Sequence, residues 1–391
     1  MRCIEVLRLR QRRYRGRLAS VALFASALGV MTLQLNPHAT AQQVVRQHQP
    51  SDLAALRGVG THELQDVYAD SRDFAQSVGV RSTRDFVQKS IVRHWDGSSW
   101  ISADAPQPYN SELFGVDGSS AQDVWAVGDA NYQLLTDHWN GSKWTSHTLP
   151  APKGYAGGIL LGVSSRARDD TWAVGYAVDD EGNAASAIAE YWNGHAWRQV
   201  DVLRSVGRYL VGVSTIQQDD VWATNGYGVV THWDGKTWRK TKIPGGYDPH
   251  SIDGATGQDV WAVGLGPDNM TGVLHWDGDV WSPVSSPSGQ GPWNFLQSVS
   301  ADSSVSAWAV GYSGPPQQGR DAKTLTLHWD GVRWTKVRSP SPGSVVNVLE
   351  GVDSRTPTDA WAVGSYSDSS SGSIRRLLYL HWDGTRWSRR P

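Results

Sequence analysis

Two tryptophan-containing phrases recur along the chain and restrict its fold more than any other feature of the sequence. The first is D-V-W-A-V-G or a close variant, with its tryptophan at Trp125, Trp172, Trp222, Trp261, Trp308 and Trp361. The second is H-W-D-G-x-x-W, which begins at His94, His138, Tyr191, His232, His275, His328 and His381. Successive copies begin about 40–55 residues apart, a period typical of propellers and solenoids.

Each repeat unit contains four predicted strands, and the last unit shows them most clearly. Residues 349–352, the A-W-A-V-G phrase at Trp361, residues 377–382 and residues 386–388 are the four segments. Asp383-Gly384 separates the last two and indicates a hairpin, because glycine accepts the positive φ that a tight turn requires. Four strands joined by short turns form one blade of a β-propeller, so we predict an all-β fold.

The number of blades depends on the first hairpin phrase, at His94. Six units are complete, and residues 64–79 resemble a degenerate first half for the seventh, one without the central tryptophan. We therefore predict seven four-stranded antiparallel blades over residues 64–391, with a degenerate first blade at 64–105. Six blades with a separate N-terminal hairpin is the alternative. We expect the first blade to pack on the last and to be the weak point of the ring.

The W-A-V-G and H-W-D-G-x-x-W phrases resemble repeats of secreted bacterial β-propellers, a group loosely related to kelch, tectonin and Asp-box proteins. The resemblance to the Asp-box repeat is partial, because Trp334 follows Asp330 by four residues where that repeat has five. The WD-repeat pattern fits less well, because no Gly-His pair recurs in each unit. These families include hydrolases, lectins, receptor-binding proteins and assembly factors. The resemblance therefore implies the fold and leaves the function open.

The first 41 residues predict a secretory signal peptide. Seven arginines and a single acid precede an apolar run over residues 18–33. Ala39-Thr40-Ala41 follows the run and provides a small-residue cleavage site. An uncleaved signal anchor is the alternative. Cleavage would remove Cys3, which is the only cysteine, and would leave a flexible lead-in over residues 42–63. We predict a secreted, extracellular protein that has no membrane association after cleavage.

Charge and histidine spacing exclude two classes of function. The formal net charge is −2 even with the arginine-rich start, so the chain lacks the basic surface that nucleic-acid binding requires. The motif histidines occur once per blade and cannot converge on one ion, so we predict no metal and no cofactor. We interpret the motif tryptophans as core residues. We interpret the aspartate two residues before the tryptophan in five units as a turn residue that bonds local backbone amides: Asp123, Asp170, Asp220, Asp259 and Asp359.

Functional residues are expected where the repeats differ, in the links between blades and in the longer loops. Both open on one face, near the central channel. Aromatic and polar side chains of the links are candidate ligand contacts: Tyr109, Tyr155, Arg208, Tyr209, Tyr247, Asp248, His250 and Trp293. A capping role for each in its own blade is the alternative. The longer loops lie at 176–187, 312–322 and 365–376.

These observations together predict a non-catalytic extracellular binding module, monomeric, for a glycan or a cell-surface protein. An extracellular carbohydrate-active hydrolase or lyase is one alternative, although no pair of carboxylates stands out as hydrolysis would require. A structural or assembly scaffold is another. The sequence does not separate a binding module from a scaffold, and we predict no catalytic residue.

Overall fold

A computed structural model describes residues 61–82, 87–314, 321–369 and 375–390. Within these residues the chain forms seven consecutive four-stranded antiparallel sheets, which confirms the predicted seven-bladed all-β propeller. The six-bladed alternative is wrong, because the hairpin at His94 pairs with two preceding strands to complete a blade. The predicted signal peptide and nearly all of the predicted lead-in lie outside the described residues.

Each blade uses four successive strands, numbered here in chain order. Blade 1 contains β1 (His62–Ser71), β2 (Phe74–Ser82), β3 (Gln88–Trp95) and β4 (Trp100–Ser102). Blade 2 contains β5 (Ser111–Ser120), β6 (Asp123–Ala130), β7 (Gln133–Trp139) and β8 (Trp144–Thr148). Blade 3 contains β9 (Gly157–Ala167), β10 (Asp170–Val178), β11 (Ala184–Trp192) and β12 (Trp197–Val200). Blade 4 contains β13 (Gly212–Gln217), β14 (Asp220–Thr224), β15 (Val230–Trp233) and β16 (Trp238–Thr241).

The remaining three blades follow the same plan. Blade 5 contains β17 (Asp248–Thr256), β18 (Asp259–Leu265), β19 (Thr271–Trp276) and β20 (Trp281–Pro283). Blade 6 contains β21 (Asn294–Ser303), β22 (Ser306–Ser313), β23 (Lys323–Trp329) and β24 (Trp334–Val337). Blade 7 contains β25 (Val346–Thr356), β26 (Asp359–Ser367), β27 (Arg376–Trp382) and β28 (Trp387–Arg389). The helical segments in the described chain are two 3₁₀ turns at Arg204–Val206 and Pro267–Asn269, and neither could span a membrane.

The central tryptophan of one blade packs against both hairpin tryptophans of the next blade. Trp261 on β18 is 1 % exposed, and its ring centroid lies 4.8 Å from Trp329 and 5.1 Å from Trp334 in blade 6. The Trp334 ring stands perpendicular to that of Trp261, a favoured aromatic geometry that contributes about 0.5–1.5 kcal/mol beyond burial. The two hairpin tryptophans lie directly opposite each other across a four-residue turn, so both face the preceding blade.

The same packing closes the ring. Trp361 of blade 7 lies 4.9 Å from Trp95 and 5.1 Å from Trp100 of blade 1. Blades 1 and 7 each consist of their own four consecutive strands, so closure depends on side-chain packing rather than on a shared strand.

A partly buried aspartate–histidine pair packs against the central tryptophan in four of the blades. His275 Nε2 lies 2.6 Å from the Asp259 carboxylate, and the imidazole ring lies 4.3 Å from Trp261. Equivalent bonds join Asp123 to His138, Asp220 to His232 and Asp359 to His381. The interpretation of this aspartate as a turn residue was therefore wrong, because the pairing of the second and third strands brings the histidine within its reach.

The seam between blades 1 and 2 departs from this plan. Gln76 pairs with His94 as Trp125 pairs with His138, so a glutamine occupies the position of the central tryptophan. Tyr68 from β1 packs in the buried cluster of this seam, which also contains Trp144 of blade 2. The Oε1 atom of Gln76 is buried and has no hydrogen-bond partner among the described residues.

The facing strand of blade 2 carries a second polar replacement, Asp137. The equivalent position in blades 5, 6 and 7 is leucine, and each leucine packs against the central tryptophan of the preceding blade (Leu274, Leu327 and Leu380). Asp137 is fully buried, and this burial raises the pKa of its carboxyl to about 7, although the Ser146 hydroxyl lowers it. The first seam therefore combines two polar replacements, Gln76 and Asp137, whereas the seams before blades 5, 6 and 7 have tryptophan and leucine at these positions. The position of Asp137 is also polar in blade 3, where it is the buried Glu190.

Replacing Asp137 with leucine should stabilise the propeller. The carboxyl is protonated at low pH in both folded and unfolded states, and its burial becomes costly as pH rises from about 4 to about 7. We expect Asp137→Leu to raise the free energy of unfolding by roughly 1–3 kcal/mol above about pH 7, and by less near pH 5. Chemical denaturation at both pH values measures this difference.

The matched control is Asp104→Leu, at an exposed carboxylate in the link after β4. This variant should leave the free energy of unfolding within about 0.5 kcal/mol of the parent chain. A loss of stability in Asp137→Leu would contradict the view that the first seam is strained by a buried carboxyl.

Candidate functional site

The upper face of the propeller is defined here as the face on which the loops between second and third strands open. The links between blades open on the same face, because the fourth strand of each blade runs toward it. Asn131, in the β6–β7 loop, donates its side-chain amide to the carbonyl oxygen of Tyr109 in the neighbouring link, at 3.1 Å. At this point of the upper face, a loop and a neighbouring link are therefore in direct contact.

In every blade except blade 4, one residue near the start of the innermost strand is left unpaired by a β-bulge. Phe114 illustrates the pattern: Leu113 pairs with Gly128 and Gly115 pairs with Val127, so Phe114 has no partner on β6. The bulge lies next to the glycine of W-A-V-G on the paired strand. Glycine is required there because a Cβ on Gly128 would collide with the carbonyl oxygen of Glu112. The free edge of an innermost strand borders the central channel, so bulge residues line it.

These positions form a set of seven, one per blade, that we call the channel ring. Its members are partly exposed and are, from blade 1 to blade 7, Gln65, Phe114, Leu161, Val211, His250, Gln297 and Glu350. Val211 directly precedes β13 and occupies the matching position in blade 4. Blades 2 to 4 contribute an apolar arc, and blades 5, 6, 7 and 1 contribute a polar arc. The channel wall is therefore amphipathic.

Hydrogen bonding within the polar arc joins adjacent blades. Gln297 Nε2 donates to Glu350 Oε2 at 2.5 Å. Burial and the nearby Glu63 carboxyl raise the pKa of Glu350 to about 8, although the Arg375 guanidinium and the Gln297 hydrogen bond lower it. His250 is in the same arc, and burial lowers the pKa of its imidazole to about 4. At neutral pH the ring is thus mostly uncharged.

A second set of carboxyls, the carboxyl belt, binds the innermost strands to one another. Asp353 accepts the backbone N–H of Ala69 at 2.6 Å, and Asp117 accepts that of Ser165 at 2.7 Å, each in the following blade. The belt also contains Asp66 and Asp253, which accept the N–H groups of Val116 and Ala301. Burial raises the pKa of all four carboxyls. They act as hydrogen-bond acceptors within the fold.

Carboxyls also border the mouth of the channel on the upper face. Glu63 and Glu112 each stand two residues before a member of the channel ring, and Glu63 pairs with Arg375 at 3.4 Å. Burial raises the pKa of Glu112 to about 8, and the Asp129 and Glu63 carboxyls reinforce the shift. Burial also raises the pKa of Asp129 to about 7. Within the described part of the chain, the mouth therefore holds several acids and the Arg375 guanidinium.

Three tyrosines form a continuous aromatic surface, the tyrosine row, on the upper face of blades 3 and 4. Tyr209 lies 5.1 Å from Tyr176 and 5.7 Å from Tyr227 between ring centroids. Tyr227 is 49 % exposed. Burial and the Asp129 carboxyl raise the pKa of Tyr176, while burial, Tyr209 and Asp248 raise that of Tyr227. The row thus extends between carboxyls at its two ends.

Four of the predicted contact residues lie in one region of the structure, and the other four do not join them. Tyr209, Asp248 and His250 lie near one another, because the loop that carries Tyr227 covers blade 5: Gly226 N–H donates to the carbonyl oxygen of Pro249. Burial raises the pKa of Asp248. Arg208 is exposed beside Tyr209.

The other predicted residues lie apart from this group. Tyr155 packs against the buried cluster between blades 2 and 3, and Tyr247 packs against the cluster between blades 4 and 5. Trp293 is 7 % exposed, whereas Tyr109 is 70 % exposed on the link between blades 1 and 2. The predicted loop at 176–187 is described throughout, but central parts of the loops at 312–322 and 365–376 lie outside the described residues.

Sequence reasoning did not identify the channel ring apart from His250. The signal was present, because most units contain a four-residue phrase with leucine first, glycine or serine third and valine fourth. The second residue of that phrase varies while its neighbours do not. Tyr176 and Tyr227 were also missed, since they follow W-A-V-G strands rather than the links.

The comparisons with known proteins support the fold. The sequence matches no protein-family model, and no curated protein matches it. Among solved structures, YCF48 bound to D1 peptide matches with a TM-score of 0.52 at 13 % identity, covering 82 % of this chain and 92 % of that chain. The WD40 β-propeller domain of Doa1 matches with a TM-score of 0.54 at 11 % identity, covering 81 % and 93 %. This chain has a WD40-like β-propeller fold. At these identities the likeness of the propeller to its neighbours extends to the fold alone.

The propeller's raised carboxyl pKa values predict how its stability depends on pH. Between about pH 7 and pH 8.5, the folded chain retains protons on groups such as Glu350 and Glu112 that the unfolded chain has released. The free energy of unfolding should therefore fall as pH rises through this window. Histidine shifts do not interfere, because imidazoles with lowered pKa are neutral in both states above about pH 7.

Glu350→Gln tests the assignment, because the amide can still bond to Gln297 but does not titrate. Denaturant unfolding at several pH values should show a shallower decline for this variant than for the parent chain. An equal decline in both proteins would show that Glu350 does not retain its proton in the folded state.

Proposed function

We propose that the propeller is a non-catalytic binding module that holds an extended segment of a partner protein across its upper face. The segment would lie on the tyrosine row and cross the mouth of the channel toward Glu350. The observation that carries this proposal is the contiguous row of Tyr176, Tyr209 and Tyr227, which adjoins a channel with one apolar and one polar arc.

The chemistry of this surface suits a peptide. Tyrosine offers a large apolar face and a hydroxyl at a low cost in side-chain entropy, which favours it at protein interfaces. Tyr209 stands two residues before Val211 of the channel ring, so the aromatic row continues into the apolar arc. Tyr176, Phe114 and Leu161 lie on β10, β5 and β9, which the packing between blades holds in place, and a rigid site loses little entropy when it binds.

A structural neighbour supports the same reading. The YCF48 propeller has been solved bound to D1 peptide, so a propeller of this general shape can hold a peptide. The relation of this chain to kelch, tectonin and Asp-box propellers, its monomeric state and its export to the extracellular space are also part of our proposal. They are supported by the repeat phrases and by the N-terminal charge and hydropathy pattern.

A selection from random short peptides displayed on phage, with residues 42–391 as bait, tests the proposal. We expect enriched peptides to bind the parent chain, and we expect Tyr209→Ala with Tyr227→Ala to weaken binding by tenfold or more, which is about 1.4 kcal/mol. Isothermal titration calorimetry gives the affinities. Denaturant unfolding verifies that each variant remains folded.

Tyr109→Ala is the matched control, because it removes an exposed tyrosine of the same face at a different blade. It should bind as the parent chain does. Failure to enrich any peptide, or equal losses in the control and the double variant, would contradict the proposal. A glycan array run in parallel tests the alternative ligand, and specific glycan binding lost in the double variant would assign the tyrosine row to sugar recognition.

A further inference from the structure

We propose that the channel mouth selects one basic side chain, arginine or lysine, of the bound segment and holds its cation against Glu350. This inference rests on the proposed function and names the residue of the partner that the same face recognises. It follows from the distribution of polar and apolar residues around the channel ring.

The two arcs of the ring match the two parts of a basic side chain. Phe114, Leu161 and Val211 form the apolar arc, against which an aliphatic stem of three or four methylene groups can pack. The opposite arc presents Gln297 and Glu350. A wholly apolar side chain would leave the polar arc uncompensated, and an acidic one would face the carboxyls of the mouth.

Among the described residues, Glu350 is the acid of the channel ring, and it has no cation bonded to it. The Arg375 guanidinium bonds to Glu63 at 3.4 Å, whereas the hydrogen bond to Glu350 comes from the neutral amide of Gln297. A guanidinium or ammonium that enters the mouth would complete a charge-assisted pair with Glu350. A bare metal ion fits less well, because no cluster of three or more potential ligands occurs among the described residues.

The tyrosine row supplies a path for the rest of the segment. Its aromatic faces attract cations as well as apolar groups, and carboxyls lie at both of its ends. Electrostatic complementarity therefore favours a segment with net positive charge. The exposed Arg208 lies beside the row, and it would oppose a second basic residue at that position.

Binding of a cation should release a proton from the protein. Burial raises the pKa of Glu350 to about 8, so near neutral pH the free carboxyl is mostly protonated, and a bound cation would favour its ionised form. The charged groups around it are Glu63 and Arg375, and Glu112 is coupled to Glu63. Affinity for a basic peptide should therefore rise with pH up to about 8 and then level off.

The test uses peptides from the random selection, each synthesised with its basic residue intact and with that residue replaced by citrulline or norleucine. Titration calorimetry in two buffers of different ionisation enthalpy measures affinity and proton release together. We expect the neutral replacement to weaken binding at least about tenfold, and we expect proton release only with the basic peptide.

Glu350→Gln is the decisive variant, because it keeps the size and the hydrogen bond but removes the charge. It should abolish both proton release and the preference for the basic peptide, whereas Glu181→Gln, at an exposed acid of an upper-face loop, should change neither. Equal affinity for basic and neutral peptides, or proton release that persists in Glu350→Gln, would overturn this inference and leave the proposed peptide binding intact. Failure of every peptide to bind would instead contradict the proposed function.

Discussion

The propeller depends on one repeated contact, in which the central tryptophan of a blade packs against the two hairpin tryptophans of the next. Each contact buries large aromatic rings, and Trp361 extends the series across the closure of the ring. Because the chain has a single cysteine, no internal disulfide can replace this packing. The Asp259–His275 type of pair fixes the indole, so the strands hold their registers and the bulges keep their positions.

A fold stabilised by invariant residues leaves other positions free to vary. The glycine of W-A-V-G permits the close approach of the innermost strand, and the bulge places one unconstrained side chain per blade beside the channel. Phe114 and Glu350 occupy equivalent positions yet differ completely in chemistry. The upper face thus acquires an apolar side, continued by Tyr209, and a polar side, without any change in the packing between blades.

The sequence predicted the blade number and the four-strand plan, because a period in tryptophan phrases reports directly on repeated packing. It did not predict that Asp259 would bond to His275, since that pairing depends on strand register. The sequence indicated Tyr209, Asp248 and His250 as candidate contacts. It did not indicate Glu350 or Tyr227, because residues of different blades become neighbours only when the blades close into a ring. The burial of Asp137 was not predicted, because it depends on the packing of β7 against β2, the strand of blade 1 that carries Gln76.

We propose that recognition takes place on the upper face of blades 3 to 5 and at the channel mouth. Hydrogen–deuterium exchange of the propeller, with and without a bound peptide, tests it most directly. We expect the bound peptide to slow amide exchange in the loop around Tyr227, in the link containing Tyr209 and at the start of β25 near Glu350. Slowed exchange confined to the turns between first and second strands, on the opposite face, would contradict it.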